Sequence, residues 1–504
     1  MAYFHELEIF HKELKRIQAI PNIDTNHQLA ARELSNIVKQ GLLSYSDIIE
    51  KPEKFFSFHQ AISEYIGLEG FGIRFTVQYN LFAGTIMCLG LRNHKQFLME
   101  SHVNGDLGCF MLTEYSSGVM SGMMCGTTAI MTNQKIILNT NDIVTNEDQT
   151  INFEKSLNRK NWISQGLYAK YAVVCAKLFI NNQDAGIHPF FIRMNQSGIF
   201  IKSNGEKTVA RSLDNCMIIF KNLEIPLESL MYPTNKLDEL IKNPGIGFKR
   251  IAERLNSGRL CIALSMSSYI KTQFNSVKND TFNKKIHTTK TNTQSLDTLP
   301  GIHCMLEINQ TILKLVTEYV DKIASEYCQK VNEYYKDKTV NLDEDFLMTV
   351  LDNTFLEKII IAKVLVINFG YKLMNDLKIR MGSNSLFYEK GMGTIDILLC
   401  ARFAEGDNDI LMDKLLADRM KKIKKISKLD YLLILKGTFI YRDMTFREKY
   451  LLISLIHHLM NKSNIHETNN LMKECKEVIT YNIVKNYMSP KSRKLTISDI
   501  RSML

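Results

Sequence analysis

Apolar residues recur at helical spacing through the first hundred positions, with Ala30, Leu34, Ile37, Val38 and Leu42 marking one buried face. From about Gly108 to Pro233 the texture changes. Short β-rich runs (Ala129-Ile130-Met131, Lys135 to Leu138, Tyr171 to Phe179, Phe190-Phe191-Ile192, Met217 to Phe220) alternate with Asn, Gly and Asp turns, which predicts a β domain. Helical periodicity returns after Pro244, and only Pro300 and Pro490 stand beyond it to break a helix. The polar stretch Asn279 to Thr298 predicts a surface loop between two long helices. The expected fold is therefore an α+β multidomain chain. Its divisions are an N-terminal helical domain (1–107), a middle β-barrel-like domain (108–233), a C-terminal helical bundle (234–428) and a short helical extension (429–504) that includes Tyr450 to Met460.

The 504 residues suffice for two to four cores, and 45% hydrophobic with 23% charged residues argues against disorder. The densest apolar run, Ile359 to Phe369, is interrupted by Lys363, which predicts a buried helix and no membrane span. Ten cysteines without a CxxC pair argue for reduced thiols inside a cell and against a zinc site. The N-terminus lacks the apolar core of a signal peptide. The last residues, Ser502-Met503-Leu504, have the outline of a peroxisomal address without its basic middle residue, so the expected location is cytoplasmic or peroxisomal.

A net charge of +10 raises nucleic acid as a partner, and Arg419, Lys421, Lys422, Lys424, Lys425 and Lys428 form a basic run. Aromatics do not interleave with these cations as a single-strand platform requires. The run reads instead as a solvated helix end, its cations near the negative pole of the dipole. Excess positive charge also suits small ligands carrying phosphates.

The candidate chemistry centres on Glu405, which opens a Glu-Gly-Asp-Asn turn ahead of an apolar helix. Such a setting strips water from the carboxylate, raises its pKa and makes it a proton acceptor near neutral pH. Helix capping by Asp407 or Asn408 is the plainer reading of the same turn.

Several segments, taken in order from about Lys51 to Met420, resemble the acyl-CoA oxidase and acyl-CoA dehydrogenase superfamily, the oxidase branch more closely. They are Pro52 to Phe56, Tyr79 to Gly84, Gly108 to Glu114, Gly186 to Phe190, Asp214 to Pro226 and Gly258-Arg259-Leu260. The resemblance implies a C-terminal four-helix bundle, FAD as cofactor, an acyl-CoA as substrate and a homodimer or higher homo-oligomer. It implies 2,3-dehydrogenation to the trans-2-enoyl-CoA, with Glu405 taking the Cα proton. Some relatives carry the base just before the arginine that is Arg259 here, and that slot is Gly258. The cofactor-binding residues implied are Thr113, Trp162, Ser164, Gly382, Asp407 and Asn408. Taken alone, Thr113 equally suits a strand, and a single tryptophan such as Trp162 usually packs in a core. His188, between Ile187 and Pro189, reads as structural.

The chain departs from the family pattern at defined places. A Gly-Gly pair expected 24 and 23 residues before the base is Met381-Gly382. The arginine-rich end of the helix before the polar loop is Lys278-Asn279-Asp280-Thr281-Phe282, and lysine offers a point charge without a bidentate fork. The loop Tyr115 to Val119 lacks the family's glycine and serine spelling, Ala404 replaces an aromatic, and Trp162-Ile163-Ser164 is spelled as in dehydrogenases. Three readings stay open: an oxidase using O₂, a dehydrogenase using an electron-transfer flavoprotein, and a non-catalytic relative with weakened FAD binding.

Overall fold

Seven helices open the chain: α1 (Phe4–Gln18), α2 (His27–Gln40), α3 (Asp47–Glu50), α4 (Pro52–Ile62), α5 (Glu69–Thr76), α6 (Gly84–Leu89) and α7 (Arg92–Asn104). Local chemistry sets several of their ends. The Asn26 side chain accepts the Leu29 N–H at the start of α2, Gly41 ends it in the left-handed region at φ 65°, and Pro52 occupies the first turn of α4. Between α5 and α6 the backbone widens into a π-helical turn, Val77–Ala83, a form that recurs at functional sites. The computed structural model describes residues 3–118, 121, 124–289, 292–336, 352–387, 392–424, 447–448, 451–452, 454–455, 465–488, 496 and 498, without the side chains of 253, 422–424 and 465.

The π-turn docks the β domain. Gln78 accepts the Gly108 N–H (2.9 Å) and the Gln165 Nε2–H (2.8 Å), and donates to the Tyr45 hydroxyl (2.6 Å). Nine strands follow: β1 (Gly108–Met111), β2 (Thr127–Met131), β3 (Lys135–Thr140), β4 (Lys160–Ser164), β5 (Tyr171–Ile180), β6 (Gln183–Arg193), β7 (Ile199–Ser203), β8 (Asn215–Phe220) and β9 (Leu223–Pro226). In the larger sheet β1 and β2 lie end to end, parallel along one edge of β5, while β6 runs antiparallel along the other. β3 and β9 extend the sheet antiparallel from β2, and β4, β8 and β7 form a second, three-stranded sheet. The facing layers bury Met111, Leu138, Val174, Phe190, Ile218 and Phe220, and a Phe220 N–H to Thr140 Oγ1 bond (3.0 Å) joins them into a half-barrel. A fully buried ion pair, Arg74 Nη2 to Asp214 Oδ1 (2.7 Å), fastens this domain to α5.

The second helical part comprises α8 (Leu237–Lys242), α9 (Gly245–Asn283), α10 (Pro300–Tyr335), α11 (Asn353–Met381), α12 (Ile397–Phe403), α13 (Asn408–Lys424) and α14 (Ile465–Tyr487). Every residue of α11 from Ile359 to Ile367 is buried because helices surround it: α9, α10, α13 and α14 all pack on it. No helix among the described residues is long and apolar enough to cross a membrane.

Two expectations need correction. The polar stretch from Asn279 is not a loop throughout: α9 continues to Asn283, and a small antiparallel hairpin, β10 (Lys285–His287) with β11 (Thr293–Ser295), follows. The basic run is not a wholly solvated end. Arg419 is 2% exposed and pairs with Glu357 and with Glu448 (3.3 Å), because α13 turns that side chain inward, while Lys421 stays outside against Asp418. Val119, Lys425, Lys428, 429–446, most of Tyr450 to Met460 and Ser502-Met503-Leu504 lie outside the described residues.

Candidate active site

Glu405 sits in the turn between α12 and α13 with φ 55°, followed by Gly406 at φ 99°. A non-glycine residue in the left-handed region is strained unless its surroundings hold it there. Here the holding groups come from three helices. Arg259 on α9 donates Nε–H to the Glu405 carbonyl (3.0 Å). Lys363 on α11 donates Nζ–H to the Gly406 carbonyl and to the Arg402 carbonyl (3.2 Å). Asp407 caps α13, its Oδ1 accepting the N–H groups of Asp409 (2.8 Å) and Ile410 (3.3 Å). Asn408 does not cap. It is buried, and its Nδ2 donates to Asn368 Oδ1 (3.1 Å), which also receives Arg402 Nη1 (2.9 Å).

The carboxyl of Glu405 faces the interior between α9 and the π-turn. The residue as a whole is partly exposed, but its Oε2 is sealed from solvent and meets no hydrogen-bond partner among the described residues. A methyl at Gly258 would stand 2.4 Å from the Glu405 Cδ and Oε1 and 2.8 Å from Asn80 Nδ2. Loss of water pushes the Glu405 carboxyl up to about 7, against the opposing pull of Arg259, Lys363 and Arg254. The Lys363 ammonium is pushed down to about 7 by burial and by Arg259, with Glu405 and Asp407 resisting. Burial likewise brings Arg259 down to about 10, against the pull of Glu405. The loop thus presents a proton acceptor near neutrality on a fixed backbone.

A second patch forms on the β domain. Thr113 lies just past the end of β1, and its carbonyl accepts the Asn161 N–H (3.0 Å), which sets it beside β4. A register shift between β4 and β8 accompanies Trp162 at φ 56° and 51% exposed, between Asn161 and Ile163, which are buried. Trp162 is thus no core residue, and its ring lies 5.8 Å from that of Tyr115. Ser164 Oγ accepts from Asn215 Nδ2 (3.1 Å), which also reaches the Trp162 carbonyl (3.0 Å). Lys207 donates to Asn215 Oδ1 (2.6 Å) and lies within electrostatic reach of Cys400 on α12, so this patch and the helix before Glu405 approach one another.

The structure therefore gathers Glu405, Asp407 and Asn408 in one turn and Thr113, Trp162 and Ser164 in another patch. Gly382 belongs to neither. It ends α11 at φ 61°, about 28 Å along the helix from Lys363 at 1.5 Å per residue, and beyond its chain neighbours no described residue comes within 4 Å of where a Cβ would stand. Met381 turns its side chain into the core and leaves Gly382 uncovered. Lys278 is engaged with Gln310 Oε1 (2.7 Å). His188 is buried, with Nε2 on the Ala185 carbonyl (2.9 Å), in keeping with a structural place.

Sequence reasoning missed Asn80, Arg254 and Lys363 as site residues. The signal for Lys363 was in view, a single charge inside an apolar helix. Asn80 had the corresponding mark, an amide in a run that is otherwise largely apolar. Arg254 had none, since arginines on a helix are ordinarily solvated.

No protein-family model matches the chain. It is 26% identical over 261 residues to the short-chain specific acyl-CoA dehydrogenase of rat mitochondria, a match covering 50% of this chain and 55% of that protein. The chain thus spans about half the length of that relative. Among solved structures it is similar to acyl-CoA oxidase 1 of Yarrowia lipolytica (TM-score 0.70, 16% identity, 96% of this chain and 76% of that one). It is also similar to an acyl-CoA dehydrogenase of Bacillus anthracis described as complexed with FAD (TM-score 0.66, 14% identity, 96% and 81%). Both likenesses establish the fold: N-terminal helices, a central β half-barrel and a C-terminal helical domain. In this order of elements, and in sequence at about a quarter identity, the chain is similar to proteins of both branches of the acyl-CoA dehydrogenase/oxidase superfamily.

Proposed function

We propose that this protein is an FAD-dependent enzyme that removes hydrogen across the 2,3 bond of an acyl-CoA, with Glu405 as the base. The observation that carries the reading is a carboxyl poised at about 7 whose sealed Oε2 meets no partner among the described residues. An acceptor in that range is ionised in on the order of half the molecules at neutral pH and still strong enough to take an acidified Cα proton.

The residues present fit the cofactor. Trp162 offers an uncovered aromatic face, Ser164 and Thr113 lie beside it, and Gly382 leaves open space that Met381 does not fill. Thr113, Trp162 and Ser164 would hold the ring on the β domain (108–233), with Asp407 and Asn408 contributing from the bundle (234–428), while Gly382, distant from both patches, would serve only a remote part of the cofactor. The chemistry that bound FAD supplies is acceptance of the Cβ hydride. The chain's own part is positional and electrostatic. Arg259 and Lys363 clamp the turn by its carbonyls, Gly258 leaves room for the carboxyl, and the surrounding helices keep water from Oε2.

O₂ is the proposed acceptor, giving hydrogen peroxide. The hydroxyl of Ser164 beside Trp162 favours a second reading, a dehydrogenase that passes electrons to a carrier flavoprotein. A visible spectrum of the purified protein with FAD, taken before and after an acyl-CoA is added without oxygen, tests the central proposal. Bleaching in the wild type and none in Glu405→Gln is expected; a protein that never takes up colour would overturn it and leave a non-catalytic relative. Peroxide formed on readmitting air would separate the two acceptors.

A further inference from the structure

Arg254 lies one helical turn before Gly258 on α9 and is 1% exposed. Among the described residues its Nη2 reaches neutral oxygens, the Asn80 carbonyl (3.3 Å) and Asn80 Oδ1 (3.2 Å). The N–H groups on Nε and Nη1 are sealed from solvent and meet no acceptor among the described residues. A buried guanidinium without a counter-ion is among the most unfavourable arrangements a protein interior can hold. Described neighbours within its electrostatic reach include Tyr327 and Cys261, which are neutral, and Glu405, which makes no ion pair with it. Gly84 keeps the space clear, since a methyl there would stand 2.8 Å from Nη2.

Asn80 supplies a second unmet donor. Its Oδ1 is fixed by Ser257 Oγ (2.7 Å) as well as by Arg254, so the amide can turn only its Nδ2 toward Gly258 and Glu405. That Nδ2 is buried and has no partner among the described residues. The Asn80 amide thus lies between the two charged groups, its Nδ2 toward Gly258 and the Glu405 carboxyl and its oxygens on Arg254, which lies within electrostatic reach of Glu405.

We propose that Arg254 and Asn80 form an anion subsite beside the base, and that the substrate is an ω-carboxyacyl thioester whose terminal carboxylate lies against Arg254. This rests on the dehydrogenation reading above and adds the substrate class. A hydroxyl or keto group would leave the positive charge uncompensated, whereas a carboxylate neutralises it and occupies its free donors. The spacing of Arg254 from Gly258, about 6 Å along the helix axis, makes the chain a short one.

The test uses the FAD-loaded full chain with ω-carboxyacyl-CoA thioesters of increasing length, each beside its unsubstituted counterpart. Non-reactive thioether analogues of both kinds are titrated calorimetrically in parallel. Wild type should favour the carboxylated thioester by about 100-fold or more in kcat/KM, and Arg254→Met should bring that ratio to one or below. Arg254→Lys should restore part of the preference, which a merely structural arginine would not do. Should Arg254→Met fail to fold, Asn80→Asp, which places a negative charge in the subsite, should lower the same ratio. Wild type binding the carboxylated analogue no better than the alkyl one would overturn the proposal whatever the turnover. Selective binding without any flavin reduction would instead refute the dehydrogenation reading and leave the subsite standing.

Discussion

Gly258 and Glu405 meet across the interface of α9 and the turn before α13: the space a methyl would need at residue 258 holds the carboxyl of residue 405, 2.4 Å away. The glycine is a steric requirement of the base, beyond being a slot where another base is missing. Gly258→Ala should displace the carboxyl and cut the rate of flavin reduction by about 100-fold, the scale of an ångström-sized misplacement. Far-ultraviolet circular dichroism should be unchanged. Stopped-flow absorbance makes the measurement, and full activity would show that the carboxyl sits elsewhere during turnover.

The raised carboxyl gives a pH signature. With its value moved from 4.5 to about 7 by burial, the ionised fraction, and with it the rate of Cα proton removal, should rise as pH climbs through about 7. The stability sign runs the other way. Above about 7 the folded protein bears the full penalty of a buried carboxylate, and below 4.5 the penalty is gone because both states are protonated. Glu405→Gln should therefore raise the melting temperature more at pH 8 than at pH 5, while abolishing turnover. Equal shifts at the two pH values would contradict the assigned burial.

Lys363 tests the clamp. Lys363→Met removes the donor to the carbonyls of Gly406 and Arg402, and leaving such groups unmet costs roughly 1–3 kcal/mol each. It also removes a cation that holds the Glu405 carboxyl down, so the acid limb of the pH–rate profile should move to higher pH. A lowered rate with an unmoved limb would mean that Lys363 acts on the backbone alone.

Arg419 tests the distal packing. Arg419→Met removes the guanidinium that pairs with the buried Glu357 and Glu448, and breaking such a pair from one side should destabilise the protein by about 3–5 kcal/mol in urea denaturation. Lys421→Met, at a solvated pair with Asp418, should change stability by well under 1 kcal/mol. Similar losses from both would contradict the burial of Arg419.

The periodicities along the chain were enough to order helices, strands and helices, because each element must show a continuous apolar face to some partner and that face is written locally. They also marked Glu405 through the apolar helix behind its turn. They could not say that Trp162 faces outward, since that depends on a register shift against β8, or that α9 runs on to Asn283. The convergence of Arg254, Asn80, Lys363 and Glu405 was invisible for the same reason. These residues are far apart in sequence, and their charges acquire meaning only when the packing of α9, α11 and the π-turn removes the water between them. Local sequence determined which segments would fold and what they would bury; tertiary structure alone decided which polar groups were left facing one another inside.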